Sequence, residues 1–149
     1  MKLAAGDLDL PAADWILIVD DEFDVVTILR QWLEKQGYHV FGFTEPRLAL
    51  EHFRLNSKQY DLVISDLRMP EINGYEFIKK AKEIKPQVKV FFMTAFEIND
   101  IEFRRLLPSV KIDEFIQKPV SMNYLTTVVK KHISLGMKAE QFSDDLTSA

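Results

Sequence analysis

Short, unbroken runs of apolar residues recur along the chain and alternate with longer stretches of helical periodicity. Apolar runs of this length are typical of strands that are covered on both faces. Three of them are WILIV at 15–19, LVI at 62–64 and VFFM at 90–93. The runs YHVFGF at 38–43 and EFIQ at 114–117 mix polar and apolar positions, as strands at the edges of a sheet do. The pattern therefore predicts five strands.

Between these runs, apolar residues recur at spacings of three or four, which predicts helices. The predicted helices cover 22–36, a stretch from Glu45 to about Leu55, a stretch marked by Phe77, Ala81 and Ile84 that ends before Pro86, residues 97–107, and a stretch from Met122 to Ile133. Strands that alternate with helices imply right-handed crossovers and a parallel sheet with helices on both faces. We therefore predict one α/β domain over 15–133, with tails at 1–14 and 134–149.

The first predicted helix is the most informative of the five. Its core stripe consists of Phe23, Val26, Leu29 and Leu33. Trp32 lies beyond this stripe and has two interpretations, as part of a docking surface or as a partly buried core residue. Gly37 is expected to stop this helix, and Thr44 is a candidate N-cap for the next one.

Composition narrows the classes of function. The 149 residues carry a formal net charge of -4, which argues against a nucleic-acid-binding surface. The absence of cysteine removes disulfides, thiolate metal sites and cysteine nucleophiles. No apolar run approaches the roughly 20 residues that span a membrane, and residues 1–14 do not resemble a signal peptide. We expect a cytoplasmic protein that binds neither nucleic acid nor membrane.

Polar residues directly follow the apolar runs of four predicted strands. Asp20 and Asp21 follow the first run, and Asp66 lies at the end of the third strand. Thr94 follows the fourth run and Lys118 the fifth. The carboxyl ends of parallel strands share one edge of the sheet, where α/β proteins bind ligands. If the first and third strands are neighbours, three carboxylates converge beside a hydroxyl and an ammonium.

Three carboxylates in one pocket suit a hard divalent cation, Mg²⁺ above all. An aspartate beside Mg²⁺, Lys118 and Thr94 can attack phosphorus and form an acyl phosphate. The cation and the lysine would offset charge on the phosphoryl group, and the threonine would donate a hydrogen bond to it. Each residue alone has an ordinary explanation as a helix-start acid, a cap or a surface lysine. Their coincidence at strand ends favours a phosphoryl-transfer site.

Four segments together resemble the motifs of response-regulator receiver domains of two-component signalling, including those of chemotaxis regulators. The segments are ILIVDDE (16–22), DLVISDLRMPEINGYEFI (61–78), FFMTA (91–95) and FIQKP (115–119). The resemblance implies a flavodoxin-like fold, which is a doubly wound, five-stranded parallel sheet in the order 2-1-3-4-5 with helices on both faces.

This resemblance also implies roles for individual residues. Asp66 would accept a phosphoryl group from the phosphohistidine of a sensor histidine kinase. Asp21 would bind Mg²⁺ directly, Asp20 largely through water, and Asp66 and the backbone carbonyl of Arg68 would complete the protein ligands. Glu22 is left as a plain helix-start acid. The chain would not be an enzyme beyond its own phosphorylation and dephosphorylation.

The family resemblance further implies a conformational switch. Thr94 would move toward the phosphoryl group, Lys118 would pair with it, and Phe115 would repack as the switching aromatic. Phe115 is equally well explained as an ordinary core residue. The population shift would alter the surface of the fourth and fifth predicted helices and the fifth strand. That surface would control a downstream protein, and phosphorylation could also promote a homodimer.

Two features depart from the family pattern. The segment RRLLPSVKIDEF (104–115) is slightly long and lacks a Gly-Ala step, and Pro108 should end the fourth helix early. Arg68 and Phe96 each lie two residues after a predicted site residue, where they would border the path of the hydrolytic water. Two bulky side chains there suggest slow self-dephosphorylation.

Alternatives remain open at the level of sequence. One is a Mg²⁺-dependent phosphohydrolase with an aspartyl-phosphate intermediate, although Arg68 occupies the position where its general acid is expected. Another is a receiver-like interaction module that is not phosphorylated, although no charged site residue is missing. The histidines, His39, His52 and His132, have no apparent partner and are assigned structural or solvent-exposed roles. No output domain is recognisable after 133, so we expect a stand-alone receiver.

Overall fold

The computed structural model describes residues 14–69, 71–95 and 110–133. The strands are β1 (Trp15–Val19), β2 (His39–Phe43), β3 (Tyr60–Asp66), β4 (Lys89–Thr94) and β5 (Glu114–Gln117). The helices are α1 (Phe23–Lys35), α2 (Pro46–Asn56), α3 (Gly74–Ile84) and α4 (Met122–His132), and a 3₁₀ turn at Ser57–Gln59 precedes β3. The predicted helix at 97–107, the tails except for residue 14, and the predictions for Phe96 and Pro108 fall outside the described residues.

The five strands form a single parallel sheet in the order β2-β1-β3-β4-β5. In its register, Ile18 of β1 pairs with Gly42 of β2 on one side and with Ile64 of β3 on the other. The predicted strand order and the two predicted edge strands are therefore confirmed. This order places the ends of β1, β3, β4 and β5 side by side along one edge.

The two faces of the sheet carry separate hydrophobic layers, because successive side chains of a strand point to opposite faces. On β1, Ile16 and Ile18 pack in one layer with residues of α1 and α4. Leu17 and Val19 pack in the other layer with residues of α2 and α3. All four β1 residues are fully buried. Helices cover both faces, as predicted, and burial of these apolar surfaces supplies the main favourable term in folding.

Local sequence signals fix several helix ends. Gly37 has a positive φ of 105°, and Tyr38 N–H donates to Leu33 O at 3.2 Å in a Schellman ending of α1. At the start of α3, Asn73 Oδ1 accepts from Glu76 N–H at 2.8 Å. Ser121 Oγ similarly accepts from Tyr124 N–H at the start of α4. These side chains satisfy backbone donors that a helix start leaves without a partner.

Two details of the helix predictions are wrong, and one ambiguity is resolved. Phe23 is the first residue of α1 and is 70% exposed, so it does not belong to the core stripe. Thr44 is not the N-cap of α2, because Glu45 holds that position and makes no side-chain cap bond. Trp32 is partly buried against the core, and its Nε1 donates to Thr126 Oγ1 of α4 at 2.7 Å. Trp32 therefore joins two helices.

Candidate functional site

The predicted site residues meet at the carboxyl edge of the sheet. Asp20 directly follows β1, Asp66 is the last residue of β3, and Thr94 is the last residue of β4. Lys118 directly follows β5. The carboxyl end of a strand therefore sets the position of each of these four residues. The crevice expected from the strand order is therefore present.

Asp20 is buried and makes several contacts at the bottom of this crevice. It is fully buried, and its backbone N–H donates to Phe43 O of β2 at 3.1 Å. Its Oδ1 accepts from Glu22 N–H at 2.9 Å, and its Oδ2 lies 2.7 Å from Lys118 Nζ. A buried carboxylate needs such partners, because loss of hydration otherwise destabilises its charge.

Lys118 reaches the carboxylates from the end of β5. Its backbone N–H donates to Thr94 O at 2.7 Å, which anchors the end of β5 to the end of β4. Its side chain is 12% exposed, and Nζ lies 3.5 Å from Asp66 Oδ2 and 3.2 Å from Glu22 Oε1. Three carboxylates, those of Asp20, Glu22 and Asp66, therefore share one ammonium.

The assignment of Glu22 as a plain helix-start acid is wrong in this respect. Glu22 does precede the first residue of α1, but its side chain makes no cap bond and contacts Lys118 instead. The two residues are 96 positions apart. No local pattern indicates such a contact, although an acid adjacent to a predicted carboxylate site was a visible signal.

Burial, together with the crowding of carboxylates, changes the pKa values of Asp20 and Asp66. Burial, reinforced by the charge of Asp20, raises the pKa of Asp66 to about 6, although Lys118 acts in the opposite direction. Burial also raises the pKa of Asp20 against the hydrogen bonds it receives. For Lys118, burial acts to lower the pKa, but Asp20 and Asp66 outweigh it and the pKa is raised. The Lys118 ammonium therefore stays charged, and within the described ranges its single positive charge faces three carboxylates.

The geometry fits a divalent cation. Asp20, Asp21 and Asp66 each offer a carboxylate oxygen, and these oxygens all lie within 4.8 Å of one another. Asp21 is exposed, so an ion could enter from solvent, while the other two are buried. Oxygen donors with at least one open side suit Mg²⁺, which retains several waters. Arg68 lies in the loop after β3, two positions beyond Asp66, and is exposed.

Gly74 allows the loop after Asp66 to pack against this site. Its N–H donates to Leu67 O at 2.9 Å, and a Cβ at this position would overlap Asp66 O and crowd Leu67 Cα and the Phe92 ring. A larger residue would therefore displace the backbone of Asp66. The sequence marks Asn73-Gly74 as a turn signal, but it does not reveal this close approach.

The predicted switch residues lie along β4 and β5. Thr94 is 1% exposed, and its backbone oxygen accepts from both Lys118 N–H and Gln117 Nε2. Phe115 is partly buried, and its ring stacks on that of Phe92 with the centroids 6.3 Å apart. Phe92 in turn lies beside Gly74. The rings of Phe115 and Phe92 thus connect β5 with the start of α3, which follows the loop after Asp66.

The histidines lie away from this crevice. His52 Nε2 is 2.6 Å from the Tyr60 hydroxyl in an aromatic cluster, and burial lowers the pKa of His52. His132 Nε2 is 2.8 Å from Glu114 Oε2. His39 is exposed. The structural or solvent-exposed roles are consistent with these positions, but the expectation that none has a partner is wrong for two of the three.

Comparison with known proteins identifies the family. Residues 16–130 match the family model of the response regulator receiver domain. The chain belongs to this family. Response regulator SaeR of Staphylococcus aureus (strain USA300) is 32% identical over 140 residues, a match that covers 89% of this chain and 58% of SaeR. The receiver therefore spans less than two thirds of the length of that curated relative.

Solved structures of receivers share the fold. A response regulator receiver domain protein from Clostridium thermocellum has a TM-score of 0.72 at 27% identity, covering 80% of this receiver and 94% of that chain. TrrA from Thermotoga maritima, solved in complex with Mg²⁺-BeF, has a TM-score of 0.68 at 32% identity. The match covers 80% of this receiver and 99% of the TrrA chain. No helix in the described ranges of our chain has the length and apolar character needed to cross a membrane.

Proposed function

We propose that this receiver is a phosphorylation-dependent switch in which Asp66 accepts a phosphoryl group from the phosphohistidine of a histidine kinase. The observation that carries the proposal is the convergence of Asp66 with Asp20, Asp21 and Lys118 in one crevice. The carboxylates provide the nucleophile and a cation site, and the ammonium provides a partner for the incoming anion. Membership of the receiver family supports the same chemistry.

In the transfer step, an Asp66 carboxylate oxygen attacks phosphorus while the bond between phosphorus and the donor imidazole nitrogen breaks. The imidazole leaves with that bond's electron pair, and an acyl phosphate forms on Asp66. Asp66 must be ionised to attack, and its pKa of about 6 leaves it mostly ionised near neutral pH. Lys118, 3.5 Å from Asp66 Oδ2, is placed to pair with the bound phosphoryl group.

Asp20, Asp21 and Asp66, with the backbone carbonyl of Arg68, would hold Mg²⁺. When bound, the ion would supply positive charge that offsets the negative charge of the phosphoryl group. The carboxylates themselves orient the ion and keep it beside Asp66. Support for this assignment comes from their mutual distances and from TrrA, a relative solved with Mg²⁺-BeF.

The switch would run from the phosphoryl group to the surface near β5. Thr94 would donate its hydroxyl hydrogen to a phosphoryl oxygen, and its movement would allow Phe115 to repack. The stack of Phe115 on Phe92 supports a coupled movement, because both rings pack in the same layer. The altered surface would then control a downstream protein, with a homodimer as one mode of output.

The phosphohydrolase alternative has less support. Such an enzyme needs an acid that delivers a proton to the leaving group, and the position two residues after Asp66 is Arg68. An arginine stays protonated and does not exchange a proton near neutral pH. The charged site residues are all present, which also weighs against a module that is never phosphorylated.

The direct test is to incubate the chain with Mg²⁺ and a small-molecule phosphodonor and to measure its intact mass. We expect an increase of one phosphoryl group in the wild type and none in Asp66→Asn. Chelation of Mg²⁺ should strongly reduce the increase. No increase with either a small phosphodonor or a phosphorylated histidine kinase would overturn the proposal.

A further inference from the structure

Lys118 has three carboxylate partners, and they differ sharply in accessibility. Asp20 and Asp66 are buried, with side chains 0% and 10% exposed, whereas the side chain of Glu22 is 63% exposed. Glu22 therefore lies at the mouth of the crevice and contacts the ammonium from the solvent side. It is also distinct from the carboxylates that could hold a cation, which are Asp20, Asp21 and Asp66.

The backbone of Glu22 makes two hydrogen bonds. Within the described ranges, its side chain contacts only Lys118. Its N–H donates to Asp20 Oδ1 at 2.9 Å, and its carbonyl accepts from Val26 N–H at 3.2 Å. The side chain makes no cap bond with α1. The carboxylate of Glu22 therefore contacts the Lys118 ammonium and does not cap α1.

A phosphoryl group on Asp66 would add nearly two negative charges to the crevice. Within the part of the chain that the structure describes, Lys118 is the ammonium in contact with Asp66, so the new group must compete with the existing partners of Lys118. Loss of the contact with Asp20 would leave a buried carboxylate uncompensated, which is costly. Loss of the contact with Glu22 returns an exposed carboxylate to water at little cost. The Glu22 contact is therefore the one that opens most readily.

We propose that Glu22 is a positioning residue that holds Lys118 before phosphorylation, favours the cation and opposes the incoming phosphoryl anion. This inference rests on the proposed function of the site. Glu22 acts through Lys118 and through its own charge at the mouth, and it does not take part in bond making. Its removal should therefore shift the affinities for a cation and for an anion in opposite directions.

The test uses Glu22→Gln in the full chain, with calorimetric titration of two probes. The first probe is Mg²⁺ alone, and the second is beryllofluoride, a phosphoryl-like anion, at saturating Mg²⁺. We expect the Mg²⁺ dissociation constant to rise about two- to fivefold and the beryllofluoride dissociation constant to fall by a similar factor, the range typical of an exposed ion pair. A purely structural role would weaken both.

Asp24→Asn is the matched control. Asp24 is an exposed acid in the first turn of α1, and this substitution removes the same charge two positions away. Since Asp24 makes no ion pair with Lys118, both affinities should change by less than in Glu22→Gln. Equal effects of the two substitutions would assign the result to general charge and overturn the inference.

Two outcomes separate this inference from the proposed function. If the wild type binds beryllofluoride with Mg²⁺ and Glu22→Gln binds both probes as the wild type does, the positioning role of Glu22 is wrong while the proposed function stands. If the wild type binds no beryllofluoride at any Mg²⁺ concentration, the proposed function fails together with the inference.

Discussion

Buried carboxylates occur at both ends of the sheet, but their surroundings are opposite. At the amino end, the Asp113 side chain is 3% exposed, and its Oδ2 accepts from Val90 N–H at 2.9 Å. Its Oδ1 lies 3.9 Å from the ammoniums of both Lys89 and Lys111. One carboxylate therefore faces two cationic side chains and one backbone donor.

At the carboxyl end the balance is reversed, because Asp20, Glu22 and Asp66 share Lys118. Burial of an acid is therefore not by itself the mark of a functional site, since Asp113 is almost as buried as Asp20. The distinguishing property, among the described residues, is that one ammonium faces several carboxylates, which leaves room for a cation; burial, reinforced by the charge of Asp20, raises the pKa of Asp66 there. The charged and hydrogen-bonding partners of Asp113 lie within the fold. The carboxylates of Asp20, Asp21 and Asp66 are placed to bind an additional cation from solvent.

The largest expected effect follows from the raised pKa of Asp66. The pKa of Asp66 is raised from 3.8 to about 6, so the native state binds more protons than the unfolded state between these values. The free energy of unfolding should therefore fall as pH rises through this window. Asp66→Asn removes the effect and should stabilise the Mg²⁺-free protein by up to about 3 kcal/mol at pH 7.5.

Urea unfolding of wild type and Asp66→Asn at pH 4 and pH 7.5, in the presence of a chelator, checks this prediction. The difference between the two proteins should be large at pH 7.5 and nearly absent at pH 4. A difference of the same size at both pH values would contradict the assigned cause.

Mg²⁺ should produce the next largest effect. A ligand that binds the native state stabilises it by about 2.7 kcal/mol at a concentration one hundred times its dissociation constant. We expect Mg²⁺ to raise the midpoint of thermal unfolding of the wild type, and Asp21→Asn to lose most of this rise. An equal rise in Asp21→Asn would place the cation elsewhere.

Asp113→Ala should affect stability without affecting the site. It leaves Val90 N–H without its side-chain acceptor, which costs about 1–3 kcal/mol. The free energy of unfolding should fall by this amount, while phosphorylation of Asp66 and the Mg²⁺-dependent stabilisation persist. If Asp113→Ala abolished phosphorylation in the folded protein, the proposed contrast between the two ends would be wrong.

The smallest expected effect concerns the lifetime of the phosphorylated form. Arg68 and Phe96 follow Asp66, the proposed phosphoacceptor, and Thr94 by two positions, and their bulk suggests slow hydrolysis. Phe96→Ala should speed the decay of the phosphorylated chain several-fold in Mg²⁺, as followed by intact mass. Decay at the wild-type rate would reject this hypothesis.

Much of the described fold could be predicted from sequence, because it depends on periodicity. Unbroken apolar runs identified the central strands, mixed runs identified the edges, and Gly37 marked a helix end. The convergence of Asp20 and Asp66 also followed, since strand order alone brings these positions together.

Other features depended on information that a linear pattern does not contain. Periodicity predicted the angular position of Phe23 on α1 but not the 70% exposure of its side chain at the first turn. The contact between Glu22 and Lys118 depends on side-chain direction across 96 positions. The close approach of Gly74 to the backbone of Asp66 requires the folded loop. Sequence therefore located the edge of the sheet that carries the site, and the structure located its charge balance.

The most direct test of the central claim is to find which carboxylate carries the phosphoryl group. After treatment with Mg²⁺ and a phosphodonor, borohydride reduction converts an acyl phosphate into an alcohol, and peptide mass spectrometry locates the reduced residue. We expect homoserine at position 66 and unchanged aspartate at positions 20, 21 and 113. Modification at one of those three positions, with Asp66 intact, would contradict it.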